Sequence, residues 1–312
     1  MNNSFSSAIL SFMKIIVTHN APDWDAISSV WLIKRYLPGW RDAIVEFVPA
    51  GTRRAKSQEL GDMIDPIEIV GEDEVIHVDT GLGPLDHHQT ADKTVCGATK
   101  TWDYIQMQIT LAGEELKAEH VEAVSRIVAI ILADDHFREV FWADPMADYH
   151  EFSLIGLLEG IKLSHPDQDN FYMDFGMQCL DGMVHTFESR IWSEKEIADK
   201  GISFRVKRGR ALAFETVNDG VIKLAQKMGY ILVVRKDPRK GYVRIKARPA
   251  SGKDDDLDLT AAYEKLQEID SKATWFLHVS KKMLLNGTPK NPKMVPTTLT
   301  LEQIIEVLKS IY

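Results

Sequence analysis

With 312 residues, 45% of them hydrophobic and 27% charged, the chain has the composition of a globular protein of one large or two ordinary domains, able to bury a proper core. No apolar run approaches the ~18 residues that a bilayer-spanning helix needs, and the two cysteines, Cys96 and Cys179, are too few for a disulfide framework or a Cys-rich zinc module. The net charge of −9 hides a division: residues 1–201 carry 16 Lys+Arg against 34 Asp+Glu, whereas residues 202–312 carry 21 against 12.

The opening stretch Met1 to Ser11 lacks the basic flank and apolar core of a signal peptide, so a ragged tail is expected, with structure from Met13. Together with the low cysteine count, this points to a reducing, cytoplasmic setting. Lys14 to Thr18 reads as a β-branched strand, followed by a loop and a helix around Ile27, Val30 and Trp31. Ala43 to Val48 and Glu74 to Asp79 read as further strands, the second stopped by Thr80-Gly81-Leu82-Gly83-Pro84. Helical patterns cover Thr99 to Leu111, Ala118 to Ala133, Tyr149 to Leu163 and Phe171 to Asp199. Strands alternating with helices predict an α/β domain with a mostly parallel sheet flanked by helices over residues 13–170, and a helical connector over 171–201. Residues 202–312 change texture to strands ISFRV, ALAFE, YILVV and YVRIKA, a helix at Val221 to Met228, a polar loop at Ser251 to Asp258 and a last helix at Leu301 to Ile311. A smaller, basic α+β domain is expected there.

Acids and histidines gather where these elements end. His19, Asp23 and Asp25 follow the first strand, Asp79 closes EVIHVD, Asp86-His87-His88 lies in the Gly/Pro-rich loop, and Asp134-Asp135-His136 closes an apolar helix. In an open parallel sheet, ligands bind beyond the carboxyl ends of the strands, so these segments can converge. Taken singly, each has an ordinary reading: Asp25 as the N-cap of its helix, Asp79 as a turn residue, Asp134 as a helix terminator. Taken together, carboxylates at one place repel unless something positive lies between them, which predicts a metal site. Imidazole and carboxylate without thiolate suit Mn²⁺, Mg²⁺, Co²⁺ or Fe²⁺, and zinc is compatible. His77 reads as a satisfied strand histidine and His136 as a neighbour of the metals. In the basic half, Arg244, Lys246 and Arg248 alternate along one strand and so share a face, a candidate phosphate clamp.

His19, Asp23, Asp25, then Asp79 in HVDTG, then Asp86-His87-His88, then Asp134 in LADDHF resemble the ordered motifs of the DHH phosphoesterase superfamily. That superfamily includes RecJ exonucleases, nano-RNases, cyclic dinucleotide phosphodiesterases and family II pyrophosphatases. In the second half, YILVVRKDPRKGYVRIKARP and WFLHVSKKMLLNG are similar to the Myg type of metal-dependent hydrolase. The first motif lacks the additional histidine of that type, and no Gly-Gly-Gly-His stretch of the RecJ kind is present.

The resemblance implies two divalent cations, Mn²⁺ foremost with Mg²⁺ or Co²⁺ as alternatives. One would be held by His19, Asp23 and Asp79, the other by Asp25, Asp79, His87 and Asp134. Asp135 is the alternative to Asp134. His88 would contact the phosphoryl group or protonate the leaving oxygen, with Asp86 orienting a histidine. His278, Ser280, Asn286 and Gly287 would join Arg244 and Arg248 in binding substrate, the basic domain closing over a cleft, although Asn286-Gly287 is also a hairpin-turn signal. The expected activity is two-metal hydrolysis of a phosphodiester in a short RNA or nucleotide, as a 3′ to 5′ exonuclease. The alternatives are a phosphatase acting on a nucleotide bisphosphate or pyrophosphate, and a metal-bound binding protein without turnover. The overall charge of −9 argues against tight binding to long duplex DNA, and no membrane partner is expected.

Overall fold

The computed structural model describes residues 13–55, 65–250, 256–288 and 291–312. The expected amino-terminal tail and most of the polar loop Ser251 to Asp258 lie outside the described residues. Two compact units divide within one long helix, residues 1–187 and 188–312.

In the first unit, β1 (Lys14–His19) pairs in parallel with β2 (Ile44–Val48) on one side and β4 (Asp73–His77) on the other. The edge strand β3 (Ile67–Val70) runs antiparallel to β4, giving the order β2-β1-β4-β3. Ile15, Ile16 and Val17 of β1 are wholly buried, as expected of a central parallel strand covered on both faces. The sheet is therefore parallel except for one short edge strand, which the sequence reading did not anticipate. Four residues leave little edge exposed for unwanted pairing.

Helices α1 (Trp24–Tyr36), α2 (Gly97–Leu111), α3 (Ala118–Asp135) and α4 (Leu154–Ser164) join the first half of α5 (Asp169–Lys200) around one core. Gly176 of α5 lies where a Cβ would come within 2.6 Å of Ile27, so the absent side chain is what lets α5 approach α1. Two boundaries differ from expectation. The strand ending in HVD stops at His77, because Asp79 takes a left-handed backbone (φ 50°) and turns the chain. The helix expected from Tyr149 starts at Leu154, where Ser153 accepts from the Gly156 amide at 3.2 Å as its cap. A 3₁₀ turn at Arg138–Phe141 and irregular chain fill the space before it.

The second unit is a six-stranded sheet, β5-β6-β7-β8-β10-β9, formed by β5 (Ile202–Val206), β6 (Gly209–Glu215), β7 (Leu232–Lys236), β8 (Val243–Ala247), β9 (Trp275–Leu277) and β10 (Met283–Asn286). Only β6 and β7 run parallel, as the crossover helix α6 (Gly220–Lys227) between them requires. Leu232, Val234, Val243 and Ile245 share a core with α7 (Thr260–Ile269) and α8 (Leu301–Ile311), while Leu212, Phe214 and Val233 pack with α6. Helix α7 and strand β10 were not anticipated. Among the described residues, no helix is long and apolar enough to cross a membrane.

Candidate metal centre

The site is assembled beyond the carboxyl ends of β1 and β4. His19 is the last residue of β1, and its Nδ1 lies 2.8 Å from the Asn20 carbonyl, fixing the ring so that Nε2 faces the carboxylates. Asp23, not Asp25, is the N-cap of α1: its Oδ1 accepts from the Asp25 and Ala26 amides, both at 3.0 Å. The other oxygen of Asp23 lies 3.8 Å from His19 Nε2. Asp25, at the start of α1 and buried, accepts instead from the first amides of α2, Gly97 at 2.6 Å and Ala98 at 2.7 Å. Two helix starts are thereby tied to one place by two acids. Gly97 is needed there, since a Cβ would sit 2.9 Å from Asp79 Cβ and 3.0 Å from Asp25 Oδ2.

Asp79 occupies the centre, with 2% of its surface exposed. Its Oδ2 lies 3.3 Å from His19 Nε2, and its Oδ1 lies 3.5 Å from His87 Nε2. His87 Nε2 also lies 3.5 Å from Asp25 Oδ2 and 3.6 Å from Asp135 Oδ1. Asp86 is wholly buried and is spent on its own loop. It accepts from the Leu82 amide at 2.6 Å, the His88 amide at 3.1 Å and His88 Nδ1 at 2.7 Å, leaving Nε2 of the half-exposed His88 ring for other partners.

Of the two adjacent acids ending α3, Asp135 and not the expected Asp134 reaches the cluster. Ala123, Val124, Ile127, Val128 and Ile131 form the buried stripe of α3. At ~100° per residue both acids lie about 50° from the middle of that stripe, so it is the 3.6 Å approach of Asp135 Oδ1 to His87 Nε2 that distinguishes them. Asp134 is crowded instead by Glu139, Asp23 and Glu159 as well as Asp135; burial first, and then those charges, lift its carboxyl to about 6. His136 stands beside Asp135, with Nε2 3.7 Å from Asp135 Oδ2 and 3.0 Å from the Val95 carbonyl. His77 is occupied elsewhere: its Nε2 accepts from the Arg54 amide at 3.0 Å and its Nδ1 lies 2.8 Å from Glu68.

The strain and the electrostatics point to the same place. Of the seven non-glycine residues with left-handed backbones among the described residues, four, Ala21, Asp79, Leu82 and Phe137, lie in or beside the segments that supply the cluster. Burial opposes a charge on His19, but Asp79 and Asp23 outweigh it and raise the imidazole to about 9. The Asp79 carboxylate likewise raises His87 to about 9 against burial, with Asp135 and Asp25 adding to the effect. Burial alone would raise Asp79, yet the two histidines hold it below its ordinary value. Burial and the nearby Asp79 charge push Asp25 well above its own, partly offset by the Ala98 amide.

Asp79 Oδ1, His87 Nε2 and Asp135 Oδ2 are buried and make no hydrogen bond. Leaving such an atom unsatisfied costs about 1–3 kcal/mol, so Asp79 Oδ1 and His87 Nε2, 3.5 Å apart, call for a common partner. Two atoms bound to one small divalent cation at ~2.1 Å are about 3.0–3.5 Å apart, close to the 3.3–3.6 Å separations around Asp79 and His87. Ligand atoms lie within 4.8 Å of one another in three groups: His19, Asp23 and Asp79; Asp79, His87 and His88; and His87, Asp135 and His136. The donor set therefore fits two cations, with Asp79 presenting one oxygen to each side.

The residues expected to bind substrate in the second unit have diverse surroundings. Arg244 donates to Asp219 at 2.5 Å, beside the buried Arg235, and so is engaged in an internal ion pair. Asn286 is wholly buried: its amide donates to the Thr274 and Val295 carbonyls and its oxygen accepts from the Thr297 amide. That side chain is spent on tying β10 to the chain beside it. Gly287 has φ 84° and leaves no room for a Cβ against Tyr242, so its role is conformational. His278 lies just past the end of β9 and is partly exposed, with Nδ1 2.8 Å from Ser280 Oγ. Arg248 follows the end of β8, its amide bonded to the Ile231 carbonyl.

No family model and no curated protein matches the chain. Among solved structures it is similar to RecJ from Thermus thermophilus in complex with Mg²⁺, at 11% identity and a TM-score of 0.26, over 95% of this chain. The chain spans about half of that protein, 49% of its length. It is also similar to an exopolyphosphatase-related protein from Bacteroides fragilis, at 9% identity and a TM-score of 0.22, over 96% of this chain and 91% of that one.

Proposed function

We propose that the chain is a two-metal phosphohydrolase of the DHH type, cleaving a phosphodiester in a short RNA or nucleotide. The observation that carries this reading is the convergence of two unsatisfied buried atoms, Asp79 Oδ1 and His87 Nε2, 3.5 Å apart, with Asp135 Oδ1 3.6 Å from the second, beyond the carboxyl ends of parallel strands. His19, Asp23 and Asp79 would hold one cation; Asp79, His87, Asp25 and Asp135 the other. Two such ions, Mn²⁺ in the first instance, would lower the pKa of an attacking water and offset charge on the phosphoryl oxygens.

The chain's own groups do the rest. Asp86 fixes the His88 ring through Nδ1, so that Nε2 can hold the proton the leaving oxygen needs. In the second unit, Lys246, Arg248 and the His278–Ser280 pair would contact substrate phosphates, whereas Arg244 is held by Asp219 and Asn286 by backbone. Guanidinium and ammonium groups suit that task by charge-assisted hydrogen bonding.

The test is metal analysis with turnover. Protein stripped with chelator and reloaded with Mn²⁺ is expected to take up two ions per chain and to cleave short oligoribonucleotides or p-nitrophenyl phosphodiesters. Metal uptake without turnover on these, on nucleotide bisphosphates or on pyrophosphate would make the chain a binding protein. Turnover confined to bisphosphate or pyrophosphate would make it a small-molecule phosphatase. No uptake of divalent ions would overturn the site itself.

A further inference from the structure

Two cavities adjoin in the first unit, and the metal centre uses neither. The first, about 220 Å³, is walled by Trp24, Ile131, Trp142, Leu154, Met183 and Phe187 among other apolar groups. The second, about 410 Å³, lies under the irregular chain that follows the 3₁₀ turn and carries Glu139, Glu151, Glu159 and His150. Trp142, Ser153 and Ile155 line both, so the two are neighbours across one indole.

Their chemistries complement each other. An apolar cavity of ~150 Å³ accepts a benzene ring, so 220 Å³ takes one substituted ring or a short branched alkyl chain. The adjoining cavity has three carboxylates and no Lys or Arg in its lining. Lys162 pairs with Glu159 at 3.3 Å from the same helix, which leaves Glu139 and Glu151 to attract a positive charge. Glu139 Oε2 is buried and makes no hydrogen bond, an acceptor in want of a donor. The shared wall, Trp142, is the aromatic face that a cation favours most.

We propose that these joined cavities bind an amphipathic organic cation, an arylalkyl or branched alkyl ammonium. Its apolar end fills the Trp24–Phe187 cavity, and its ammonium lies over Trp142 against Glu139 and Glu151. The site is separate from the phosphate chemistry and stands whether or not that reading holds. It does border the metal centre: Trp24 lies between Asp23 and Asp25, and Ile131 is one helical turn before Asp135. An occupant thus touches the same two helices that carry metal-facing acids.

Calorimetry on the full chain with phenethylammonium, phenethyl alcohol, 3-phenylpropionate and methylammonium separates the contributions. Phenethylammonium is expected to bind about tenfold tighter than the alcohol, and the carboxylate not at all. Methylammonium, with charge but no apolar end, is expected to bind at least about tenfold more weakly than phenethylammonium. Glu139→Gln with Glu151→Gln should abolish the preference of amine over alcohol while keeping the alcohol's affinity, and Trp142→Ala should weaken both. Thermal melts and Mn²⁺ uptake identify any variant that has lost its fold, and the probe series on wild type decides the matter without variants. Equal binding of amine and carboxylate, binding of none of the aryl probes, or a double Gln variant that discriminates as wild type does would overturn the proposal.

Discussion

Metal uptake by this chain should release protons, and the number follows from the site. His19 and His87 are each raised to about 9 by the carboxylates around them. At pH 7.5 an imidazole of that pKa is protonated about thirty times more often than not. A metal ligand must be neutral, so loading both cations displaces close to two protons per chain from these rings. Asp25, held above its ordinary range by burial and by Asp79, adds to the count toward acid pH. The combined binding constant should therefore climb by about two decades per pH unit between roughly 7 and 9, then level off. Histidines at their ordinary value near 6.5 would give almost no slope over that window.

Stability without metal has the opposite sign. A histidine whose pKa is higher in the folded state stabilises the fold at pH below about 6.5, and the contribution is lost as pH rises through about 9. Each could contribute up to about 3 kcal/mol, and the pair less than twice that, since both lean on the single carboxylate of Asp79. Titration calorimetry with Mn²⁺ in buffers of different ionisation enthalpy counts the protons, and melts from pH 6 to 10 with chelator or with Mn²⁺ give the two slopes. Metal-free melting that falls with pH while metal-loaded melting holds or rises is the expected pattern. Proton release near zero at pH 7.5, or parallel melting curves, would refute the assignment of both histidines as carboxylate-paired ligands.

Asp135→Asn should cost one bound metal and most of the turnover, whereas Asp134→Asn should leave metal content intact; atomic absorption on the purified variants distinguishes them. Gly97→Ala should cost about 1–3 kcal/mol in denaturant melts and weaken metal binding, because its new methyl must displace Asp79 or Asp25. Asp86→Asn should keep both metals but lower kcat by about 10²-fold or more, since an amide with one oxygen cannot accept from both the Leu82 amide and His88 as the carboxylate does. Asn286→Ala should destabilise the chain by roughly 2–4 kcal/mol by orphaning two carbonyls and an amide; a variant of wild-type stability with raised KM would return that residue to the substrate site.

The parts of the site legible from sequence are those carried by strand ends. Apolar β-branched runs such as Lys14 to Thr18 leave little choice about where the chain is buried, and the acids just beyond them have one side of the sheet to occupy. Finer choices depended on rotation and on partners remote in sequence. Asp134 and Asp135 differ by one step of a helix and lie about equally far from the middle of its buried stripe, so only the contact with His87, remote in sequence, separates them. Asp23 took the cap expected of Asp25 because Asp25 is drawn to the Gly97 and Ala98 amides, 72 and 73 residues away, which no local pattern announces. In the second unit, Arg244 alternates on β8 as a clamp residue would, yet its partner Asp219 sits before α6, outside the strand pattern altogether.

The candidate metal centre is also a place where this fold departs from its own local preferences. Left-handed backbones at Ala21, Asp79 and Leu82, and a buried group of carboxylates drawn from both the start and the end of helices, are each unfavourable alone. A few such terms of about 1–3 kcal/mol are comparable with the net stability of a whole domain. Together they set Asp79 between two histidines from different elements, His19 at the end of β1 and His87 in the loop after β4. Asp25 shows how the cost is contained: the amides at the start of α2 neutralise part of its charge, so the helix end that positions the acid also makes its burial tolerable. The same bonds hold α1 and α2 together, and for that reason the metal-facing acids and the core of the first unit cannot be varied independently.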